Sequence, residues 1–129
     1  ITDALGAKTE VKYNDQKNIK QIKAPNEGYT KYEYDHLGQC TAITNPHQLR
    51  QLRHYDLLGR VEYLQDFDNN NISLSYDAMD NVVRYRDSNG KDIRYRYKGL
   101  NKLIERTEGD ITVRFKYDTE GQLRRIVNE

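Results

Sequence analysis

Tyr55-Asp56-Leu57-Leu58-Gly59-Arg60 decides how this chain is read, because variants of it recur along the whole 129-residue sequence. Tyrosine stands at 13, 34, 55, 76, 97 and 117, so successive steps measure 21, 21, 21, 21 and 20 residues. A constant period of this size signals a repeat architecture. Taking the tyrosine as position 0, position +1 is Asn14, Asp35, Asp56, Asp77, Lys98 and Asp118. Position +4 is Lys17, Gly38, Gly59, Asp80, Asn101 and Gly121. Asp or Asn at the start of a tight turn hydrogen-bonds the backbone two residues on. The residue that closes such a turn takes positive φ, which glycine tolerates best and Asn and Asp next. Lys17 is the one poor fit. The stretch therefore reads as a turn, although it gathers an acid, a phenol and an arginine.

A second turn lies upstream of each tyrosine. It is clearest as Asp3-Ala4-Leu5-Gly6 and Asp87-Ser88-Asn89-Gly90, and looser at Asn45-Pro46-His47-Gln48 and Asp66-Phe67-Asp68-Asn69. Ala24–Gly28 reads as an enlarged version and Glu108-Gly109-Asp110 as a shortened one. Between turns lie segments of about six residues, an ordinary strand length. The segment entering the tyrosine alternates: Ile72, Leu74 and Tyr76 share one side, as do Val113, Phe115 and Tyr117, with polar residues between them. Period two with one wet face argues for antiparallel strands.

The segment leaving the turn is apolar at +6 in every copy (Ile19, Cys40, Val61, Val82, Leu103, Leu123). It is apolar or aromatic at +9 in five, as in Ile22, Ile43 and Leu64. In a regular strand these positions face opposite sides, so either a bulge restores the face or the second side is partly covered. The third copy is irregular. Arg53 stands where other copies have an apolar residue, and Leu49 and Leu52 are three apart, which allows a helical turn or a one-residue slip.

Each copy is thus a β-hairpin, and six hairpins give twelve short strands in an all-β chain. Laid flat, twelve strands would span roughly 55 Å, a width at which open sheets curl or split. The expectation is a curled antiparallel sheet over residues 1–129 as a single array, cut from a longer repeat region, with end strands able to self-associate. Composition agrees. Only 36% of residues are hydrophobic and 32% are charged, yet eleven are tyrosine, which suits a thin sheet with one amphipathic face. The net charge of +1 gives no global field for nucleic acid, and no apolar stretch is long enough for a membrane span. One cysteine excludes an internal disulfide framework and a multi-cysteine zinc site.

Tyr34-Asp35-His36-Leu37-Gly38-Gln39, the stretch at 55–60, and Tyr117-Asp118-Thr119-Glu120-Gly121-Gln122 resemble the YD repeat of the RHS family, in phase over nearly the whole chain. That resemblance implies a ribbon of hairpins wound into a hollow spiral shell. Such shells occur in bacterial Rhs and wall-associated toxins, insecticidal toxin complexes and animal teneurins. It implies a secreted or cell-surface location. The partners it implies are the rest of the same RHS shell, an enclosed C-terminal toxin domain and a secretion-system component. Residues 1–129 contain no Asp-Pro-rich core end, so the family's self-cleavage is assigned to no residue here, and its toxic activity is not carried over.

Local candidates weigh less than the repeat. Asp66, Asp68, Asn70 and Asp77 have calcium-loop spacing, but Asn71 replaces the required glycine. His36, His47 and His54 occupy different repeat positions and read as surface residues. Cys40 fills an aliphatic slot and reads as a buried, inert thiol. No nucleophile elbow or acid–base pair stands out, so no catalytic residue, metal or cofactor is assigned. The basic stretch 84–106 is the sharpest feature: Arg84, Arg86, Arg94 and Arg96 form a guanidinium ladder near Tyr85, Tyr95 and Tyr97. The ladder suits a sulfated or acidic glycan or an acidic protein surface, against the plainer reading of a solvated strand face. Two functions follow: a non-enzymatic wall that encloses a toxin, carried by Tyr13, Tyr34, Tyr55, Tyr76, Tyr97 and Tyr117 with their turn residues, or an extracellular adhesive, heparin-like glycan-binding array.

Overall fold

The computed structural model describes Thr2 and residues 4–128. Among these the chain forms twelve β-strands and no helix: β1 (Glu10–Tyr13), β2 (Ile19–Lys23), β3 (Tyr29–Tyr34), β4 (Cys40–Thr44), β5 (Arg50–Tyr55), β6 (Val61–Gln65), β7 (Asn71–Tyr76), β8 (Val82–Asp87), β9 (Asp92–Lys98), β10 (Lys102–Glu108), β11 (Ile111–Tyr117) and β12 (Leu123–Asn128). They fall into two compact units, Ile1–Asn70 with β1–β6 and Asn71–Glu129 with β7–β12. Within each unit the strands are antiparallel and lie beside their sequence neighbours, the order a chain of hairpins dictates. Asp3 of the first upstream turn lies outside the described residues, while Gly6 at its end takes φ +80°.

The register settles the +6/+9 conflict. Every hairpin has an irregularity beside its tyrosine, as where Tyr13 pairs Ile19 but Lys12 pairs Gln21. The same step recurs at Tyr34, Tyr55, Tyr76, Tyr97 and Tyr117. One residue, always +7 (Lys20, Thr41, Glu62, Val83, Ile104, Arg124), is left out of the ladder. A bulge of one residue re-phases the strand, so +6 pairs the tyrosine and +9 pairs the residue two before it. Tyr76↔Val82 and Leu74↔Tyr85 illustrate the resulting tyrosine face, as do Tyr117↔Leu123 and Phe115↔Ile126.

The third copy keeps this phase. Arg53 pairs Leu64 and Tyr55 pairs Val61 in an unbroken β5, so neither a helical turn nor a slip occurs. Arg53 is half-buried on the tyrosine face, its long stem suiting such a place while the guanidinium donates to Gln51 Oε1 at 3.4 Å. Ala24–Gly28 is not enlarged either. Five residues separate the paired Lys23 and Tyr29, the same number as between Thr44 and Arg50. Glycine at 28 has a packing reason instead, because a Cβ there would stand 3.0 Å from Pro46 Cβ of the next turn. The Glu108–Ile111 connection is indeed short, with two intervening residues.

Burial is shallow. Among the described residues only Ala42 and Ile93 are buried hydrophobics. Ala42 lies on the polar face between Glu33 and Leu52, and Ile93 on the tyrosine face beside Tyr85. Cross-strand pairs of half-buried side chains, each contributing about 0.2–1 kcal/mol, therefore carry what a closed core carries elsewhere.

Candidate functional site

Three arrangements position the side chains singled out by the sequence: the turn, the seam between hairpins, and the arginine face. At the turn, Asp56 Oδ1 accepts the backbone N–H groups of Leu58 at 2.9 Å and Arg60 at 2.9 Å. Asp35 accepts those of Leu37 and Gln39, Asp77 those of Met79 and Asn81, and Asp118 those of Glu120 and Gln122. Asn14 uses its amide oxygen in the same way. Position +4 takes positive φ in all six copies, Lys17 included at 66° and Gly59 at 81°. The N–H of Arg60, together with its side chain, holds the Asp56 carboxyl below the usual carboxylate range against the opposing pull of desolvation. The N–H of Gln122 does the same for Asp118.

The upstream turns use an identical device. Asn45, Asp66 and Asp87 each accept the N–H groups two and four residues on. Asp66 is thus engaged in a turn, as are Asp68 and Asn70 through their backbone donors. From Asp35 to Asp87 an Asx residue every ten or eleven positions marks both ends of the hairpins alike, whereas Ala24, Lys98 and Glu108 break the series. In the fifth copy, where Lys98 occupies +1, Gly99 and Asn101 both take positive φ and the N–H of Asn101 donates to Gly99 O.

The seam depends on the tyrosine hydroxyl. Backbone pairing between β8 and β9 covers Arg84↔Arg94 to Arg86↔Asp92 and stops there. Beyond that point Tyr97 OH donates to Val82 O at 2.8 Å. Pairing between β2 and β3 stops at Gln21↔Lys31, and Tyr34 OH donates to Ile19 O at 2.7 Å. Tyr55 OH reaches Cys40 O at 2.7 Å, and Tyr117 OH reaches Leu103 O at 2.6 Å. In each case the acceptor is the +6 carbonyl of the preceding hairpin. Burial, above all, pushes the phenols of Tyr34 and Tyr97 up from their ordinary value, so they remain donors at neutral pH. Tyr13 is 60% exposed and its hydroxyl has no hydrogen-bond partner among the described residues. This hydroxyl link was missed in the sequence, since its acceptor is backbone and leaves no mark on residue identity.

The arginine face lies on the other side of the sheet from the tyrosines. Arg84 and Arg94 pair across β8 and β9, and Arg86 pairs Asp92. Arg84 donates to both carboxylate oxygens of Asp92, at 2.9 and 2.6 Å, and that contact holds Asp92 below the usual carboxylate range. Arg96 and Arg114 share Glu105 Oε2, at 3.0 and 3.3 Å. Arg86 and Arg94 are exposed and make no ion pair among the described residues. Tyr85 OH turns to Asp87 at 3.0 Å, and Tyr85, Tyr95 and Tyr97 alternate with the arginines along β8 and β9. The tyrosines near the ladder therefore lie on the opposite face of the sheet from its arginines.

Cys40 is half-buried rather than buried, with Sγ 3.7 Å from Ala42 O. His54 stands against Tyr63 on the polar face, ring centroids 5.2 Å apart, while His36 and His47 occupy exposed turns. Among the described residues no three His, Cys, Asp or Glu side chains converge as a metal site.

Hairpins of one design, most of their ends closed by Asx turns and joined through a side-chain hydroxyl, define a structural shell module of repeated β-hairpins. The chain belongs to the Teneurin YD-shell family, which matches residues 1–129. It is similar in fold to a chain of a Tc holotoxin pore of Photorhabdus luminescens, with a TM-score of 0.75 and 17% identity, covering 99% of this chain and 8% of that one. A TcdB2–TccC3 structure is also similar, with a TM-score of 0.65 and 19% identity over 99% of this chain and 7% of that one. The chain thus spans less than a tenth of the length of these structures. No curated protein matches it in sequence.

Proposed function

We propose that residues 1–129 are one continuous run of wall in a secreted or cell-surface YD shell that encloses a C-terminal toxin domain, and that the wall itself is non-enzymatic. The observation that supports this reading best is the seam. The same hydroxyl-to-carbonyl link recurs between successive hairpins, so the polar side chains are spent on joining repeats. Membership of the YD-shell family and the likeness in fold to toxin-complex shells point the same way. The wall's partners are then the remaining repeats of its own shell and the enclosed domain.

Limited proteolysis of the full-length protein carrying this segment tests the reading. A region downstream of the repeats should resist protease until the shell is opened by denaturant, and should then be cut at the rate of the isolated region. Cleavage at that rate in the intact protein would refute enclosure.

A further inference from the structure

The net charge of +1 hides a separation of charges. Aspartates are concentrated in turns, at 35, 56, 66, 77, 87 and 118, where their Oδ1 atoms are engaged by backbone donors. The polar face of β8–β10 instead carries Arg84, Arg86, Arg94 and Arg96 against Asp92 and Glu105. Both acids are held by arginine, which shows the contact this face makes: a guanidinium fork on a carboxylate, as in the Arg84–Asp92 pair. Arg86 and Arg94 remain exposed without a carboxylate of their own. Beside Arg94 lies an open depression of about 310 Å³ lined by Asp92, Arg94, Thr107 and Gly109.

We propose that this face docks an extended acidic polypeptide segment with carboxylates at alternate positions. The spacing decides the ligand's form. Arg86 and Arg94, the two arginines left without an ion pair, stand diagonally across β8 and β9, since Arg94 pairs Arg84 two residues from Arg86, and such diagonal neighbours lie about 7–8 Å apart. An extended peptide presents its alternate side chains about 6.8 Å apart, so Asp or Glu at i and i+2 can span Arg86 and Arg94. A sulfated glycan fits less well, because the tyrosines that would stack on sugar rings are on the opposite face. The interaction goes beyond wall-building, since it gives the polar surface a partner of defined chemistry.

The test titrates the full-length protein carrying residues 1–129 at low ionic strength with a fluorescent Glu-Thr alternating peptide. Comparators are a peptide of equal composition with its glutamates in adjacent pairs and a heparin oligosaccharide of equal charge. The alternating peptide should bind tightest, and the double substitution Arg86→Ser with Arg94→Ser should weaken it roughly tenfold, the scale of two exposed ion pairs. Arg86→Lys with Arg94→Lys keeps the charge and guards against misfolding as the cause, and it should bind between the two. Absence of binding, equal affinity for the paired-glutamate peptide, preference for heparin, or self-association in place of peptide binding would each overturn the proposal.

Discussion

Tyr97→Phe removes one oxygen atom and leaves the ring in place. That oxygen donates to Val82 O at 2.8 Å, at a point where the β8–β9 ladder has already ended. An intramolecular hydrogen bond of this kind contributes about 1 kcal/mol net. For a chain of this length such a loss lowers the melting midpoint by roughly 3–6 °C. Tyr13→Phe is the internal control, because the ring occupies the same repeat position but its hydroxyl has no acceptor among the described residues. Thermal and urea unfolding of both variants, followed by far-UV circular dichroism, measures the difference. Tyr97→Phe should be destabilised by about 1 kcal/mol, and Tyr13→Phe should remain within about 0.5 kcal/mol of the parent, as an uncoupled surface change does. Stability in repeat proteins is a sum of unit and neighbour terms, so the loss belongs to the seam. Equal effects at the two positions would refute the hydroxyl as the link between hairpins.

Lys17 holds φ at +66° without being glycine, a conformation that costs roughly 1–2 kcal/mol for an L-residue. Lys17→Gly should therefore raise the denaturation midpoint slightly, whereas Gly59→Ala should lower it, since φ is +81° there and a Cβ would stand 2.9 Å from Gln39 Nε2; the reverse order in urea melts would show that these turns are not strained as described. The carboxyls of Asp56, Asp87 and Asp118 titrate below their ordinary 3.8 in the folded chain. The unfolded chain then binds protons more readily, so their contribution is present above pH 3.8 and is lost as pH falls through the folded values. A melting midpoint that stays level from pH 6 down to pH 2 would contradict this sign.

The period, the turns and the tyrosine face were legible because each is written in side chains. Asp35 and Gly38, or Asp118 and Gly121, mark a turn by what Asp accepts and what glycine permits. The bulge was legible only as a conflict, +6 against +9, because skipping Glu62 or Val83 asks nothing of those residues' chemistry. Arg53 misled for the opposite reason. Its charge argued for a slip, yet the phase set by Tyr55↔Val61 holds, and the stem of an arginine can lie on an apolar face. At the arginine ladder, composition showed the charges but not that Asp92 and Glu105 would hold Arg84 and Arg96, since pairing depends on which strands meet.

The fixed and variable positions of the motif follow from where donors and acceptors sit. In each link one partner is a side chain and the other is backbone. The Asx oxygen accepts from the N–H groups at +3 and +5, so those positions are free to be Leu37 and Gln39, Leu58 and Arg60, or Met79 and Asn81. The tyrosine hydroxyl donates to the carbonyl at +6, so that residue can be Ile19, Cys40, Val82 or Leu103 while the tyrosine stays the same. The link also has a direction. Within each unit a hairpin reaches back to the one before it and offers its own carbonyl to the one after. Such a junction can be repeated without limit and without matching any particular pair of side chains, which is what a wall of many unlike repeats requires.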